Sequence, residues 1–154
     1  MKFMEKLTIF IERVWQQKKK IVLVTGVFDL LHQEHIIFLV KAKEAGDVLV
    51  VGIETDKRVK KLKGIDRPIN DQFKRQQQVG DLPVVDLAFI LPEGFSSKQE
   101  QLNLLKLIKP QILAVSSHTL HLKQKRLLMR QVGGKVKVVY QHNPNISTTL
   151  MLRW

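Results

Sequence analysis

Two histidines three residues apart, His32 and His35, follow a short apolar segment and open a helical pattern. At this spacing both side chains project from one face of a first helical turn, so both imidazoles can reach one ligand. Imidazoles beside a helix N-terminus can donate hydrogen bonds to a phosphate and to the charge that develops as it is transferred. A helix cap and a solvent-facing position are the alternatives for either histidine alone. Metal binding is less favoured, because the chain has no cysteine and no third ligand stands nearby.

The elements around the histidines have clear sequence signals. Ile21–Val24 is a continuous apolar run, which is typical of a strand buried on both faces of a parallel sheet. Gly26 follows, where the backbone can turn sharply or approach a ligand. An apolar helical pattern then runs from Ile36 to Val40. The histidines therefore lie at the exit of a strand and the start of a helix, where open α/β sheets bind ligands.

The rest of the chain alternates between the two kinds of pattern. Apolar runs predict further strands at residues 47–54, 87–91, 112–115 and 136–140. Helices are predicted at residues 2–17, 34–45, 70–79, 96–108 and 119–131, with Asn70 and Ser96–Ser97 as N-caps. We expect the leading amphipathic helix to pack on the core, with contact to a partner subunit as the alternative. This order predicts an α/β fold with about five parallel strands and helices on both faces.

The net charge is +12, from 26 basic and 14 acidic residues. It favours anionic partners such as nucleotides, sugar phosphates or nucleic acid. Nucleic acid is less favoured, because no aromatic residues interleave the basic clusters at 18–20, 57–63 and 123–130. With no cysteine, there is neither a disulfide nor a thiol nucleophile. Without a visible signal peptide or a run long enough to span a membrane, a cytoplasmic location is expected.

The lysines at positions 57, 60, 61 and 63 come just after the second predicted strand. They are therefore expected at the same edge of the sheet as the histidines. A mobile basic loop there could close over phosphates and neutralise charge as a leaving group departs. An exposed basic helix is the alternative.

The string TGVFDLLHQEH at residues 25–35 resembles the G-x-F-D-x-x-H-x-G-H signature of the cytidylyltransferase-like nucleotidyltransferases. Within them it is most similar to heptose-1-phosphate adenylyltransferases and glycerol-3-phosphate cytidylyltransferases. The resemblance implies one Rossmann-like domain over residues 1–154, with a leading helix at 1–19 and a core at 20–150. It also implies transfer of a nucleotidyl group from ATP or CTP to a sugar or polyol phosphate, with release of pyrophosphate.

Site residues follow from the positions that match the family. The resemblance implies catalytic roles for His32, His35 and Lys63. It implies nucleotide contacts for Thr25, Gly26, Phe28, Asp29, Arg75, Ser147, Thr148 and Thr149. Substrate phosphate would meet Lys60, Lys61 and Arg67. Mg²⁺ would travel with the nucleotide and not in a protein site, and a homodimer is possible as in other members.

Three positions depart from the family pattern: Glu34 replaces a glycine, Ser116–Ser117–His118 replaces Gly-Gly-Asp, and Asn145 stands where glycine is common. If Glu34 points into the site, its carboxylate repels phosphate at a cost of roughly a few kcal/mol. If it points outward, it lies favourably at the helix N-terminus. An active transferase is predicted; a catalytically impaired pseudo-enzyme, a nucleotide-binding module and a basic nucleic-acid-binding protein are the alternatives.

Overall fold

The computed structural model of the chain describes residues 2–141, with side chains from residue 4 onward. Its strands are β1 (Ile21–Gly26), β2 (Val48–Ile53), β3 (Leu87–Ile90), β4 (Ile112–Ser116) and β5 (Lys135–Tyr140). Its helices are α1 (Lys2–Gln16), α2 (Gln33–Glu44), α3 (Asp56–Lys63), α4 (Gln72–Gly80), α5 (Lys98–Ile108) and α6 (Leu122–Gln131). None of the helices within this range has the length and apolar character that crossing a membrane requires.

The five strands form one parallel sheet in the order β3-β2-β1-β4-β5. β1 pairs with β2 along its whole length, from Ile21 opposite Val48 to Gly26 opposite Ile53. On its other side β1 pairs with β4, where Val22 lies opposite Ile112. The chain thus adds β2 and β3 on one side of β1 and then β4 and β5 on the other side. The strand order reverses between β1 and β4, which is where such sheets open a crevice at their carboxyl ends.

Side chains of β1 alternate between two cores, one on each face of the sheet. Ile21 and Leu23 pack with α1, α5 and α6. Val22 and Val24 pack with α2 and α4 on the other face. All four are at most 1% exposed, which explains why this run is apolar without interruption. The predicted five-stranded parallel sheet with helices on both faces is confirmed.

Helix α1 packs on the core, as its sequence pattern predicted. Leu7, Ile11 and Val14 are at most 4% exposed and belong to the core on the α5 side of the sheet. Ile9 lies on the opposite side of the helix and is 58% exposed. The helix therefore contributes one apolar stripe to the domain.

Three local predictions were wrong. The lysines at 57, 60, 61 and 63 lie in helix α3, which was the alternative to a mobile loop, because the Thr55 hydroxyl accepts a hydrogen bond from Arg58 N–H and caps the helix. Helix α4 is capped by Asp71 instead of Asn70. Helix α6 begins three residues later than expected, because His121 has a left-handed φ of 57°.

The two isoleucines of α1 give a test of this packing. We expect Ile11→Ala to lower the free energy of unfolding by about 2–5 kcal/mol, because it leaves a cavity in the core. Ile9→Ala removes the same atoms from an exposed position and should change stability by less than about 0.5 kcal/mol. Urea denaturation of both variants measures the difference. Equal effects would mean that α1 does not pack on the sheet as described.

Candidate active site

The backbone leaving β1 is held close by an aromatic ring. Phe28 has a left-handed φ of 50° and is 3% exposed. A Cβ added at Gly26 would lie 2.7 Å from Phe28 Cε2, so only glycine fits beneath the ring. Non-glycine residues in this conformation are strained and are common at functional sites. Thr25 and Gly26 are half-buried at the strand exit, where the sequence placed nucleotide contacts, whereas Phe28 lies in the core.

The two histidines form the start of helix α2 together. His32 is the N-cap, and its Nδ1 accepts a hydrogen bond from Glu34 N–H at 3.2 Å. His35 Nδ1 accepts in turn from His32 N–H at 3.3 Å. The ring centroids are 3.9 Å apart. The capping alternative is therefore correct for His32, and it is compatible with ligand binding: because each Nδ1 accepts, a neutral ring carries its proton on Nε2 as a donor.

The second histidine is kept neutral by its surroundings. His35 is 2% exposed, and the edge of the Phe28 ring packs against it with centroids 5.4 Å apart. Burial lowers the pKa of His35 to about 3, with smaller contributions from His32 and from the positive charge of Lys63. At neutral pH this imidazole is therefore a hydrogen-bond donor without charge, and it cannot act as a proton-donating imidazolium.

Lys63, the last residue of α3, lies near the histidine pair and is half-buried. Burial lowers its pKa to about 8, Arg67 lowers it further, and Asp29 raises it. Below pH 8 the ammonium is mostly charged, so it provides a cation beside a neutral imidazole. The structure thus brings together the three residues to which the resemblance gave catalytic roles.

Asp29 is engaged by protein groups. It is 5% exposed, and its carboxylate accepts hydrogen bonds from the backbone N–H groups of Ile69 and Asn70. Arg67 lies 3.5 Å from the same carboxylate. A nucleotide contact through Asp29 stays a prediction, while its observed partners all come from the segment between α3 and α4.

Arg75, to which the resemblance gave a nucleotide contact, has protein partners; the nucleotide contact stays a prediction. It is 0% exposed, and its guanidinium donates to Asn70 O, Val27 O and Asp56 Oδ1 at 2.8–2.9 Å. In this arrangement no surface of the guanidinium is open to a ligand. The side chain instead ties three segments of the site together, because a planar fork of donors can meet several acceptors at once.

Lys60 and Lys61 precede Lys63 on helix α3. Lys60 is exposed, and Lys61 lines a cavity of about 240 Å³ with Lys57, Arg58, Glu93, Gly94 and Ser96. The loop after β3 that closes this cavity carried no sequence signal that pointed to a site. A role for Lys60 and Lys61 in binding the substrate phosphate stays a prediction.

Glu34 is buried, which excludes the solvent-facing orientation. It is 5% exposed, and its Oε2 has no hydrogen-bond partner among the described residues. A buried carboxylate oxygen without a donor costs free energy, on the order of 1–3 kcal/mol or more. Because Glu34 lies between His32 and His35 in sequence, on the first turn of α2, its negative charge opposes an anionic ligand at that turn.

The rim at the end of β4 uses its polar groups locally. Ser116 Oγ accepts from His118 N–H at 3.3 Å, and Ser117 N–H donates to Tyr140 O at 2.9 Å. Ser117 and His118 are exposed there. The predicted phosphate contacts Ser147, Thr148 and Thr149, like Asn145, lie outside the described residues. Within residues 2–141, no group of three or more histidine or acidic side chains could hold a metal ion.

Comparison with known proteins agrees with this geometry. A family profile described as cytidylyltransferase-like matches residues 23–153. The chain belongs to the cytidylyltransferase-like family. A protein of Nitratiruptor sp. named bifunctional protein HldE is 42% identical over 109 residues, which cover 71% of this chain and 22% of that protein. The HldE protein of Campylobacter jejuni subsp. doylei is 38% identical, covering 80% of this chain and 25% of that protein. The chain thus spans about a quarter of the length of these relatives.

Solved structures of the same fold include a lipopolysaccharide core biosynthesis protein from Thermoplasma volcanium. It has a TM-score of 0.67 and 28% identity, over 81% of this chain and 97% of that one. A pantoate-beta-alanine ligase from Francisella tularensis has a TM-score of 0.60 and 20% identity, over 92% and 66% of the two chains. At that identity the second likeness concerns the fold of this cytidylyltransferase-like chain alone.

The lowered pKa of His35 predicts a contribution to acid sensitivity. The pKa is about 3 in the folded chain and near 6.5 when unfolded, so the unfolded state binds more protons between these values. Stability should therefore be complete above pH 6.5 and fall by about 1.4 kcal/mol per pH unit below it. His35→Gln cannot titrate and should lack this component. Denaturation of both proteins from pH 7 to 4 measures it, and parallel curves would contradict the assigned pKa.

Proposed function

We propose that the chain transfers a nucleotidyl group from ATP or CTP to a phosphorylated sugar or polyol and releases pyrophosphate. The observation that carries the proposal is the pair His32 and His35 at the N-terminus of α2, with Lys63 beside His35. This group lies at the carboxyl end of β1, next to the point where the strand order reverses.

The reaction suits these residues. An oxygen of the acceptor phosphate attacks the α-phosphorus, and the bond from that phosphorus to the bridging oxygen of the β-phosphate breaks. Such a transfer needs positioning and charge stabilisation more than covalent help from the protein. The Nε2–H group of His32 would donate a hydrogen bond to the transferring phosphate, and the Lys63 ammonium would stabilise negative charge there. His35, whose Nε2 is buried, would donate to the same phosphate after a local opening of the site.

A neutral His35 is well suited to this role. Its buried ring keeps its proton through the physiological pH range, so it donates a hydrogen bond of constant strength. A charged imidazolium would instead repel Lys63 and cost desolvation energy. Charge at the site is then supplied by Lys63 at the end of α3, while Arg67 is paired with Asp29.

Magnesium is proposed as a companion of the nucleotide. Mg²⁺ favours oxygen ligands and is often held by substrate phosphates with one or two carboxylates. The described residues offer the buried Glu34 carboxylate but no larger group of acidic side chains, which suits an ion carried on the phosphates. Bound there, it would neutralise charge on the departing pyrophosphate.

A sugar phosphate is the favoured acceptor. The structural relative from T. volcanium is named a lipopolysaccharide core biosynthesis protein, which indicates saccharide chemistry. The relatives named HldE support the same class. Cytoplasmic location and homodimerisation stay predictions.

Calorimetric titration with ATP and with CTP, in the presence of Mg²⁺, tests the site. We expect one nucleotide to bind the wild type, and the double variant His32→Ala, His35→Ala to bind at least about tenfold more weakly, which corresponds to 1.4 kcal/mol. Gln33→Ala, an exposed change between the two histidines, should bind like the wild type. The bound nucleotide is then incubated with sugar phosphates and pyrophosphate release is measured. Absence of binding by either nucleotide would overturn the proposal.

Glu34 favours one second candidate, a nucleotide-binding module of the same fold that does not turn over. Its buried carboxylate stands where the resembling enzymes have glycine. If its negative charge weakens phosphate binding, Glu34→Gln should tighten nucleotide binding by about tenfold or more. If its volume is the obstacle, only Glu34→Gly will do so. A gain in binding by either variant without pyrophosphate release identifies the module, and a gain with release identifies an impaired transferase.

A further inference from the structure

The segment of residues 64–70 connects α3 to α4 and carries Arg67; we call it the connecting segment. Its last residues are attached to Asp29, just beyond β1. Ile69 N–H donates to the Asp29 carboxylate at 2.9 Å, and Asn70 N–H donates to it at 2.9 Å. Arg67 lies 3.5 Å from the same carboxylate. One buried acidic side chain therefore accepts hydrogen bonds from two backbone N–H groups and forms an ion pair with Arg67, all from one segment.

Asn70 and Arg75 add a second set of hydrogen bonds between the connecting segment and the residues that follow β1. The Asn70 side-chain amide donates to Asp29 O at 2.9 Å. Arg75 donates through Nε to Asn70 O and through Nη1 to Val27 O. The end of the connecting segment and residues 27–29 thus share a closed set of hydrogen bonds, although they are about 40 residues apart in sequence.

Apolar packing does not explain why the connecting segment stays there. Ile65 is 86% exposed and Ile69 is 59% exposed, so its large apolar side chains contribute little burial. Hydrogen bonds to a charged group are shorter and stronger than those between neutral groups. The carboxylate of Asp29 is therefore the main attraction between this segment and the histidine-bearing part of the site.

We propose that Asp29 is a positioning residue that keeps the connecting segment docked, with Arg67 paired to its carboxylate and Lys63 held near His35 at the end of α3. Its use in catalysis rests on the proposed function, whereas the docking itself does not. The family resemblance assigned Asp29 to the nucleotide contacts, whereas in the structure its carboxylate accepts hydrogen bonds from the connecting segment. Arg75 stabilises the same arrangement through its hydrogen bonds to Asn70 O and Val27 O.

Amide hydrogen exchange of Asp29→Asn tests the docking. We expect the amides of Ile69 and Asn70 to exchange at least about tenfold faster than in the wild type, because a neutral amide is a weaker acceptor. Amides of β1 should stay protected, which shows that the fold is intact. Asp66→Asn removes an exposed carboxylate of the same segment and should leave exchange at both amides unchanged. Wild-type exchange in Asp29→Asn would overturn the proposal.

If the amides of β1 also exchange faster in Asp29→Asn, the fold itself is disturbed, and the Asn70→Ala variant then tests the docking instead. This change removes one contact of the set and leaves the carboxylate in place. Faster exchange confined to residues 67–70 would support docking through this set of contacts. No change there would overturn it.

The charge on Lys63 gives an independent readout, because burial, Arg67 and Asp29 all act on its pKa: burial and Arg67 lower it, and Asp29 raises it. If loss of the carboxylate releases the segment, Lys63 regains water and its pKa rises from about 8 toward 10.5. If the segment stays docked, loss of the nearby negative charge lowers the pKa further. A rise in the pKa of Lys63 therefore indicates a positioning role for Asp29, and a fall indicates a purely electrostatic one.

The pH dependence of Lys63 acetylation, followed by mass spectrometry in the wild type, Asp29→Asn and Asp66→Asn, measures that pKa. A higher pKa in Asp29→Asn alone supports the proposal, and a lower or unchanged one overturns it. Neither measurement needs nucleotide or turnover. A chain that docks the segment but binds no nucleotide would thus refute the proposed function and leave the positioning role standing.

Discussion

Parallel pairing of β1 with both β2 and β4 is the constraint on which the site depends. It buries both faces of β1 and brings the carboxyl end of that strand to the middle of one sheet edge. Since every strand is parallel, the segments that follow β1 and β2 emerge at this same edge. Helix α2 starts there with two histidines, and α3 ends beside them with Lys63. The sheet thus places donors and a cation together without a dedicated loop.

Burial then determines what these groups can do. Water around His35 is replaced by the Phe28 ring and the neighbouring imidazole, so the charged form is disfavoured and the neutral donor remains. Lys63 is less buried and keeps its charge at neutral pH, with a pKa near 8. The site therefore combines a neutral hydrogen-bond donor, His35, with a cation, Lys63. This combination suits stabilisation of a transferring phosphate more than proton transfer.

Glu34 is one of the positions at which the sequence departs from the pattern of the family that it resembles. It keeps the helix start, because its own N–H is capped by His32, but it adds a buried carboxylate with an oxygen that no described residue satisfies. A carboxylate at a helix N-terminus is favourable to the helix and unfavourable to an arriving phosphate. The stability of α2 and the affinity for an anionic ligand are thus opposed at this position.

Local pattern in the sequence was enough for most elements, because apolar periodicity and caps such as Ser97 depend on neighbouring residues. It was also enough for the strand-turn-helix that holds His32 and His35. Contacts across about 40 residues were beyond its reach: Arg75 and Asp29 look like ligand contacts in sequence, but folding supplies them with protein partners. Burial of Glu34 and the low pKa of His35 likewise arise only when distant segments exclude water, so the tertiary structure alone decided them.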